Sequence, residues 1–322
     1  MPLSPSSQPP LKSRSSAPLI GAAIIWAVVT LLFFLLFSTP GGGGSQPTWF
    51  LVGTNILETG AFLVAALLCF RNWQSRHIVS GRRVWLWIGT GLLMYGVGNI
   101  LFFLWGVVWG LDPVVSLGDF FYILSYLCLA IGMLQAVLPR RLNLEASQWL
   151  IISAIGLGGV VLTLFVYLRA TVLSVNPEQL SLTGMAIAQG QGLILPLGLA
   201  TPPLLPVPEW INQLDQWLQP LGDLVSMLYL VGDIVLLVIA GTLLVAFWGG
   251  RFSQSWTLIA MAAFCLYIAD MFFAYAVNTD SYLEGSLWEV FWTLSAIFFW
   301  LGAVVERAVS INSRPSARHR RG

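Results

Sequence analysis

Eight stretches of the chain, roughly 18–38, 50–70, 84–106, 116–138, 149–168, 222–248, 256–278 and 287–308, are apolar almost throughout. Each is long enough to cross a hydrocarbon core of about 30 Å as a helix. In lipid the backbone must satisfy its own N–H and C=O groups, which leaves helical bundles and closed barrels, and continuous apolarity without alternation selects the helix. The expected fold is therefore all-α, an integral membrane helical bundle of about eight transmembrane helices spanning 18–308. Composition agrees: of 322 residues 57% are hydrophobic and 9% charged, and the mean hydropathy is +0.81, outside the range of soluble domains.

The basic residues orient the bundle. Lys12 and Arg14 precede the first run, Arg71, Arg76, Arg82 and Arg83 follow the second, and Arg140 and Arg141 follow the fourth. Arg251 follows the sixth, and Arg307, Arg314, Arg318, Arg320 and Arg321 follow the eighth. Fourteen of the fifteen fall on one side, with Arg169 the exception; the positive-inside bias then places both termini and the even-numbered loops in the cytoplasm of a bacterial inner membrane. Residues 1–17 are expected to be a disordered cytoplasmic N-terminus and 309–322 a basic cytoplasmic tail. The first run ends in Ser38-Thr39-Pro40 without a cleavage site, so it is expected to remain as an anchor. Gly41–Gly44 reads as a natural loop. Residues 170–221 form an extracytoplasmic insertion in which Trp210, Leu214, Trp217 and Leu218 recur at helical spacing among Asn212, Gln213, Asp215 and Gln216. That pattern fits an interfacial helix or a flap over the bundle.

The third and fourth runs resemble the seventh and eighth. Trp85 falls on Trp256 and Asn99 on Asp270 at one offset. After one deleted residue, Ser116-Leu117-Gly118-Asp119 lies on Ser286-Leu287-Trp288-Glu289, Tyr122 on Trp292, Ser125 on Ser295 and Gly132 on Gly302. A parallel repeat of four plus four spans, related by an approximate two-fold axis along the membrane normal, accounts for this. Tyr122-x-x-x-Tyr126 is echoed by Tyr229-x-x-x-Asp233, across the repeat register.

Three acidic residues, Glu58, Asp233 and Asp270, sit well inside apolar runs. A charged carboxylate at mid-membrane costs about 2.5–3.5 kcal/mol, so such groups face the protein interior. At about 1.5 Å per residue, these three and Asn99 fall roughly 12–15 Å below the extracytoplasmic edge, in one slab with Tyr122, Tyr126 and Tyr229. The seven residues form the candidate ligand-binding layer. Their alternative role is helix joining, through hydrogen bonds worth about 0.6 kcal/mol each in membranes.

Several chemistries are excluded by what is absent. Lys12 lies outside the spans, so no retinal Schiff base forms within the bundle, and His77 and His319 are both cytoplasmic, so no bis-histidine haem can form. No metal, nucleotide or hydrolase motif is present, and neither a cofactor nor a catalytic residue is expected. Net charge is +1, which gives no field for nucleic acid. Cys69, Cys128 and Cys265 read as packing residues, and Gly89, Gly91, Gly96, Gly98, Gly156, Gly158 and Gly159 as helix contacts. Trp49, Trp73, Trp109, Trp149, Trp210, Trp217, Trp248 and Trp256 read as interfacial belts.

The segment Ser116-Leu117-Gly118-Asp119-Phe120-Phe121-Tyr122-Ile123-Leu124-Ser125-Tyr126-Leu127-Cys128-Leu129-Ala130-Ile131-Gly132 resembles part of the polytopic N-terminal membrane domain of some bacterial diguanylate cyclases and PAS-containing sensor kinases. Leu228 to Leu237, with its Tyr-x-x-Gly-Asp, and Ala269-Asp270 look like later features of that domain. The resemblance covers roughly 85–138 and 222–306 and implies a sensory input module. No cyclase, kinase or PAS segment follows the last span in this sequence, and the 170–221 insertion departs from the pattern. The expectation is a non-enzymatic sensor that reads a small or lipidic ligand from the outer half of the bilayer, its partners being the lipid bilayer, a cytoplasmic signalling protein and a second copy of itself. A small-molecule or proton-coupled transporter and a structural subunit of a larger membrane complex are the alternatives.

Overall fold

A computed structural model describes residues 16–39, 46–111, 115–138, 145–174, 204–247, 253–279 and 281–312. Its helices are α1 (Ala17–Phe37), α2 (Thr48–Gln74), α3 (Arg82–Phe103), α4 (Leu117–Val137), α5 (Ala146–Ser174), α6 (Glu209–Leu218), α7 (Gly222–Ala246), α8 (Ser253–Asn278) and α9 (Val290–Asn312). Among the described residues there is no strand, and eight helices are long and apolar enough to span a membrane. The chain is an all-α membrane bundle. Residues 1–15, the glycine run 41–44, residues 175–203 of the insertion, Arg140, Arg141, Arg251 and the basic tail from 313 lie outside the described residues.

Local chemistry sets the helix ends. Ser116 caps α4: its Oγ accepts the Gly118 N–H at 3.1 Å while Asp119 Oδ2 accepts the Ser116 N–H at 2.7 Å. The two exchanges satisfy donors that a helix start leaves orphaned. Pro47 and Pro208 precede α2 and α6 in extended backbone, as a residue that cannot donate an N–H allows. α3 loosens at its end into a π-helical stretch, Leu104–Val108, and stops at Gly110, whose φ of 64° suits a residue without Cβ.

Six helices pack in a closed ring whose cyclic order is α2, α3, α4, α7, α8, α9. α1 lies outside against α2 and α9, and α5 outside against α7 and α8. The outer pair present rows of exposed Leu, Ile and Val, such as Ile25, Leu32, Leu150 and Leu157, where lipid is the solvent. α5 extends well past the expected 168, and α6 is the helix expected within the insertion. Ile211 of α6 is buried, Asp215 accepts the Trp105 Nε1–H at 3.1 Å, and Trp210 and Trp217 remain 60% and 81% exposed.

The ring is solid at the end where Arg71, Arg76, Arg82, Arg83 and Arg307 gather. Trp85, Ile88, Leu92, Leu129, Met133, Trp256 and Ile259 fill it, each at most 1% exposed. Trp256 is a correction to the interfacial-belt reading: it lies near a helix end but turns to the ring axis, stacking on Phe247 at 4.9 Å and meeting Trp85 at 5.9 Å. Gly158 is a second correction, since nothing lies within 4 Å of where its Cβ would be, whereas Gly159 does make a close contact, with Leu237. The three cysteines are buried and unpaired. Glu306, at 0% exposure, is a buried carboxyl in the basic half that the span boundaries concealed; its Oε1 takes a 3.4 Å hydrogen bond from Ser310.

Candidate functional site

The opposite half of the ring is hollow. A cavity of about 470 Å³ occupies its axis, and all six ring helices contribute to the wall. This volume falls in the range of small-molecule sites. Glu58, Asn99, Tyr122, Tyr126, Tyr229, Asp233 and Asp270, the seven residues expected to share a layer, all line this one cavity.

Their hydrogen bonds form three groups. In the first, Tyr122 donates to Asn99 Oδ1 at 2.8 Å and Asn99 Nδ2 donates to Glu58 Oε1 at 2.8 Å, joining α4, α3 and α2. In the second, the Tyr126 hydroxyl contacts both Asp233 Oδ1, at 2.8 Å, and Asp270 Oδ2, joining α4, α7 and α8. Trp292 of α9 donates Nε1–H to Asp270 Oδ1 at 2.8 Å. α4 and α7 are also cross-tied, because Tyr229 donates to Asp119 Oδ1 at 2.7 Å while Tyr126 reaches Asp233. Of the echoed residues, Tyr126, Tyr229 and Asp233 take part in this exchange, whereas Tyr122 turns to Asn99.

One phenol hydrogen cannot fill two contacts to carboxyl oxygens. The trio of Tyr126, Asp233 and Asp270 therefore needs a second hydrogen, carried by a carboxyl, for both contacts to be hydrogen bonds. With Asp233 only 2% exposed, the arrangement is a satisfied polar network inside an apolar ring. Glycines make the close approach possible: a Cβ at Gly98 would lie 2.8 Å from the Tyr122 ring, and one at Gly232 would lie 2.7 Å from the Tyr126 ring.

Sequence reasoning missed part of the wall. Asp119, Glu284, Glu289, Tyr95, Tyr282 and Trp292 line the same cavity. Asp119 and Glu289 sit in the first turns of their spans, where a carboxyl near the membrane edge does not stand out from sequence. The repeat alignment held the signal, since it lays Trp292 on Tyr122 and Glu289 on Asp119. Glu289 Oε1 accepts the Gly285 N–H at 2.9 Å and the Tyr282 hydroxyl at 3.3 Å. Glu284, on the α8–α9 connection, has no hydrogen-bond partner among the described residues. Burial pushes its carboxyl up to about 7, and the Tyr282 phenol is raised by burial first and by Glu289 and Glu284 beside it.

Among the described residues no three carboxyl, thiol or imidazole groups converge as metal ligands. The wall combines hydrogen-bond acceptors, aromatic rings and apolar side chains such as Met227, Met271 and Val277, a surface suited to holding a small amphiphilic molecule. Comparison with known proteins adds no relative: no family model, no curated protein and no solved structure matches the chain.

Proposed function

We propose that this chain is a non-enzymatic membrane receptor that binds a small molecule in the ring cavity and signals through helix movement to a cytoplasmic partner. The observation that carries the reading is the asymmetry of the ring, hollow and polar at one end and packed at the other. A one-sided cavity reached from the extracytoplasmic face is the arrangement a sensor needs, and the basic residues at the packed end support that orientation. Among the described residues the packed end is filled by apolar side chains such as Trp85, Met133 and Trp256, which favours sensing over transport. The resemblance to membrane input domains of cyclases and sensor kinases points the same way.

The ring order supports duplication. Advancing α2, α3 and α4 to α7, α8 and α9 maps the cycle onto itself. Tyr122 on Asn99 and Trp292 on Asp270, aligned pairs, make corresponding bonds of 2.8 Å. Gly132 meets Ile88 and Gly302 meets Ile259 at hypothetical Cβ distances of 2.8 and 2.7 Å. We read the receptor as two fused copies of a four-span unit whose shared axis became the binding site. The outer helices depart from the symmetry, α5 having moved onto α8.

Filling the cavity tests the reading. Native mass spectrometry of the protein released from its own membranes is expected to show one small-molecule adduct per chain, and Ala274→Trp, which projects a large ring into the cavity, is expected to remove the adduct while leaving the melting temperature within a few degrees. Absence of any adduct, together with no stabilisation of the wild type by a broad metabolite library, would refute it.

A further inference from the structure

The cavity has a charge inventory of one sign. Seven carboxyl residues line it, among them Glu58, Asp223, Asp233, Asp270 and Glu284, and no lysine, arginine or histidine occurs among its described lining residues. The sequence of the odd-numbered connections carries the same bias: segments 38–47, 109–116, 175–208 and 279–286 contain no basic residue, Arg169 being the nearest in sequence. A cleft whose ionisable groups are all acids and phenols favours a cation over an anion, because only a cation gains when one of them ionises.

Most of these carboxyls already have partners. Asp119 accepts three hydrogen bonds from Ser116 and Tyr229, Glu289 accepts two, Glu58 is held by Asn99, and Asp233 and Asp270 share Tyr126. Glu284 differs. It faces the cavity, it is partly exposed to it, and it has no hydrogen bond among the described residues. An acceptor left open at the edge of a cavity can take a donor from a bound molecule. Around it stand Tyr95, Tyr122, Tyr282, Phe273 and Trp292, rings whose faces attract organic cations.

We propose that the ligand is a small organic cation, an alkylammonium whose charge is met by Glu284 and the carboxyl layer below it and whose carbon groups are met by the aromatic wall. The inference rests on the receptor reading and adds the chemical class of the ligand. The absence of converging metal ligands among the described residues favours an organic cation over a metal ion.

The sign of the pH dependence follows. A cation prefers ionised Glu284, whose carboxyl burial has pushed up to about 7. Affinity therefore rises as pH increases through neutrality, and binding releases protons. Groups that face Glu284 are Tyr122 on α4, Tyr282 on its own connection and Glu289 on the turn before α9, with Gly106 of the π-helical stretch after α3; Glu58 of α2, Asp223 and Tyr229 of α7 and Asp270 of α8 complete the ionisable wall. None is a cation that would oppose the trend.

The test is calorimetric titration of the full chain in nanodiscs with choline, with the neutral carbon analogue of choline, and with acetate. Choline is expected to bind at least about tenfold tighter than its neutral analogue. Its Kd is expected to fall about tenfold between pH 6 and 8, and Glu284→Gln to abolish that fall. The wild-type pH profile carries the test if the variant does not fold. Equal binding of choline and its neutral analogue would overturn the cation assignment while leaving a receptor for uncharged molecules. Preferential binding of acetate, or binding of none of the three, would overturn it as well, and in the last case the adduct experiment above decides whether the receptor reading falls too.

Discussion

Replacing Trp256 by alanine is expected to cost about 3–5 kcal/mol of stability, the range for truncating a fully buried aromatic. The indole is 0% exposed, stacked 4.9 Å from Phe247 and 5.9 Å from Trp85, on the axis where the two sides of the ring meet. Trp85→Ala is expected to fall in the same range and to lose in addition the 2.8 Å bond from its Nε1 to Ser80 Oγ. Because the rings touch, the double variant should lose less than the sum of the two. Trp49, 55% exposed at the other end and edged by Phe33, Phe37 and Phe50, is the control, and Trp49→Ala should cost no more than about 1.5 kcal/mol. Equilibrium unfolding in mixed micelles measures all four. If Trp256→Ala behaved like Trp49→Ala, Trp256 would be an interfacial anchor after all, and the packed floor that makes the cavity one-sided would be lost from the account.

Tyr126→Phe is expected to be the most costly conservative change in the polar layer, at about 2–3 kcal/mol, because it leaves buried carboxyls without their shared donor. Removing the hydroxyl deprives Asp233 of its 2.8 Å bond and leaves Asp270 with Trp292 and the neighbouring Asp233 carboxyl. Adding Asp233→Asn to Tyr126→Phe supplies an amide donor for Asp270 and should recover at least about 1 kcal/mol of the loss. An ordinary interhelical hydrogen bond in a bilayer is worth about 0.6 kcal/mol. A Tyr126→Phe cost no greater than that, with no recovery in the double variant, would reduce the trio to simple helix joining.

Much of the architecture was legible because lipid imposes strict terms. Runs of about 20 apolar residues have few structural solutions, so the eight spans follow from hydropathy alone. Glu58, Asp233 and Asp270 could be placed together by counting residues from span ends, since a helix converts sequence number to depth at a fixed rise and a carboxyl cannot face hydrocarbon. What depth counting cannot supply is azimuth. Trp256 lies at the depth of a belt residue and was assigned to one, yet its side chain turns inward; the difference is a rotation about the helix axis that an all-apolar run does not encode. Glu284 and Tyr282 were invisible for another reason. They belong to a connection, where hydropathy carries no periodicity, and only the chain reversal at Gly285, with φ of 81°, folds them over the cavity. The resemblance between the third and fourth runs and the seventh and eighth was the one long-range signal; it laid Trp292 on Tyr122, a cue to the wall position of Trp292 that depth counting does not give.

The measurement closest to the central claim is thiol labelling of Ala274→Cys in intact cells, the native cysteines being buried. Two membrane-impermeant reagents of equal size, one bearing an ammonium and the other a sulfonate, report access and charge together. An extracytoplasmic cavity walled by carboxyls predicts labelling from outside, faster with the ammonium reagent, and protection by Ala274→Cys combined with a bulky residue at Met227. Labelling only in inverted vesicles, or faster reaction with the sulfonate, would contradict it.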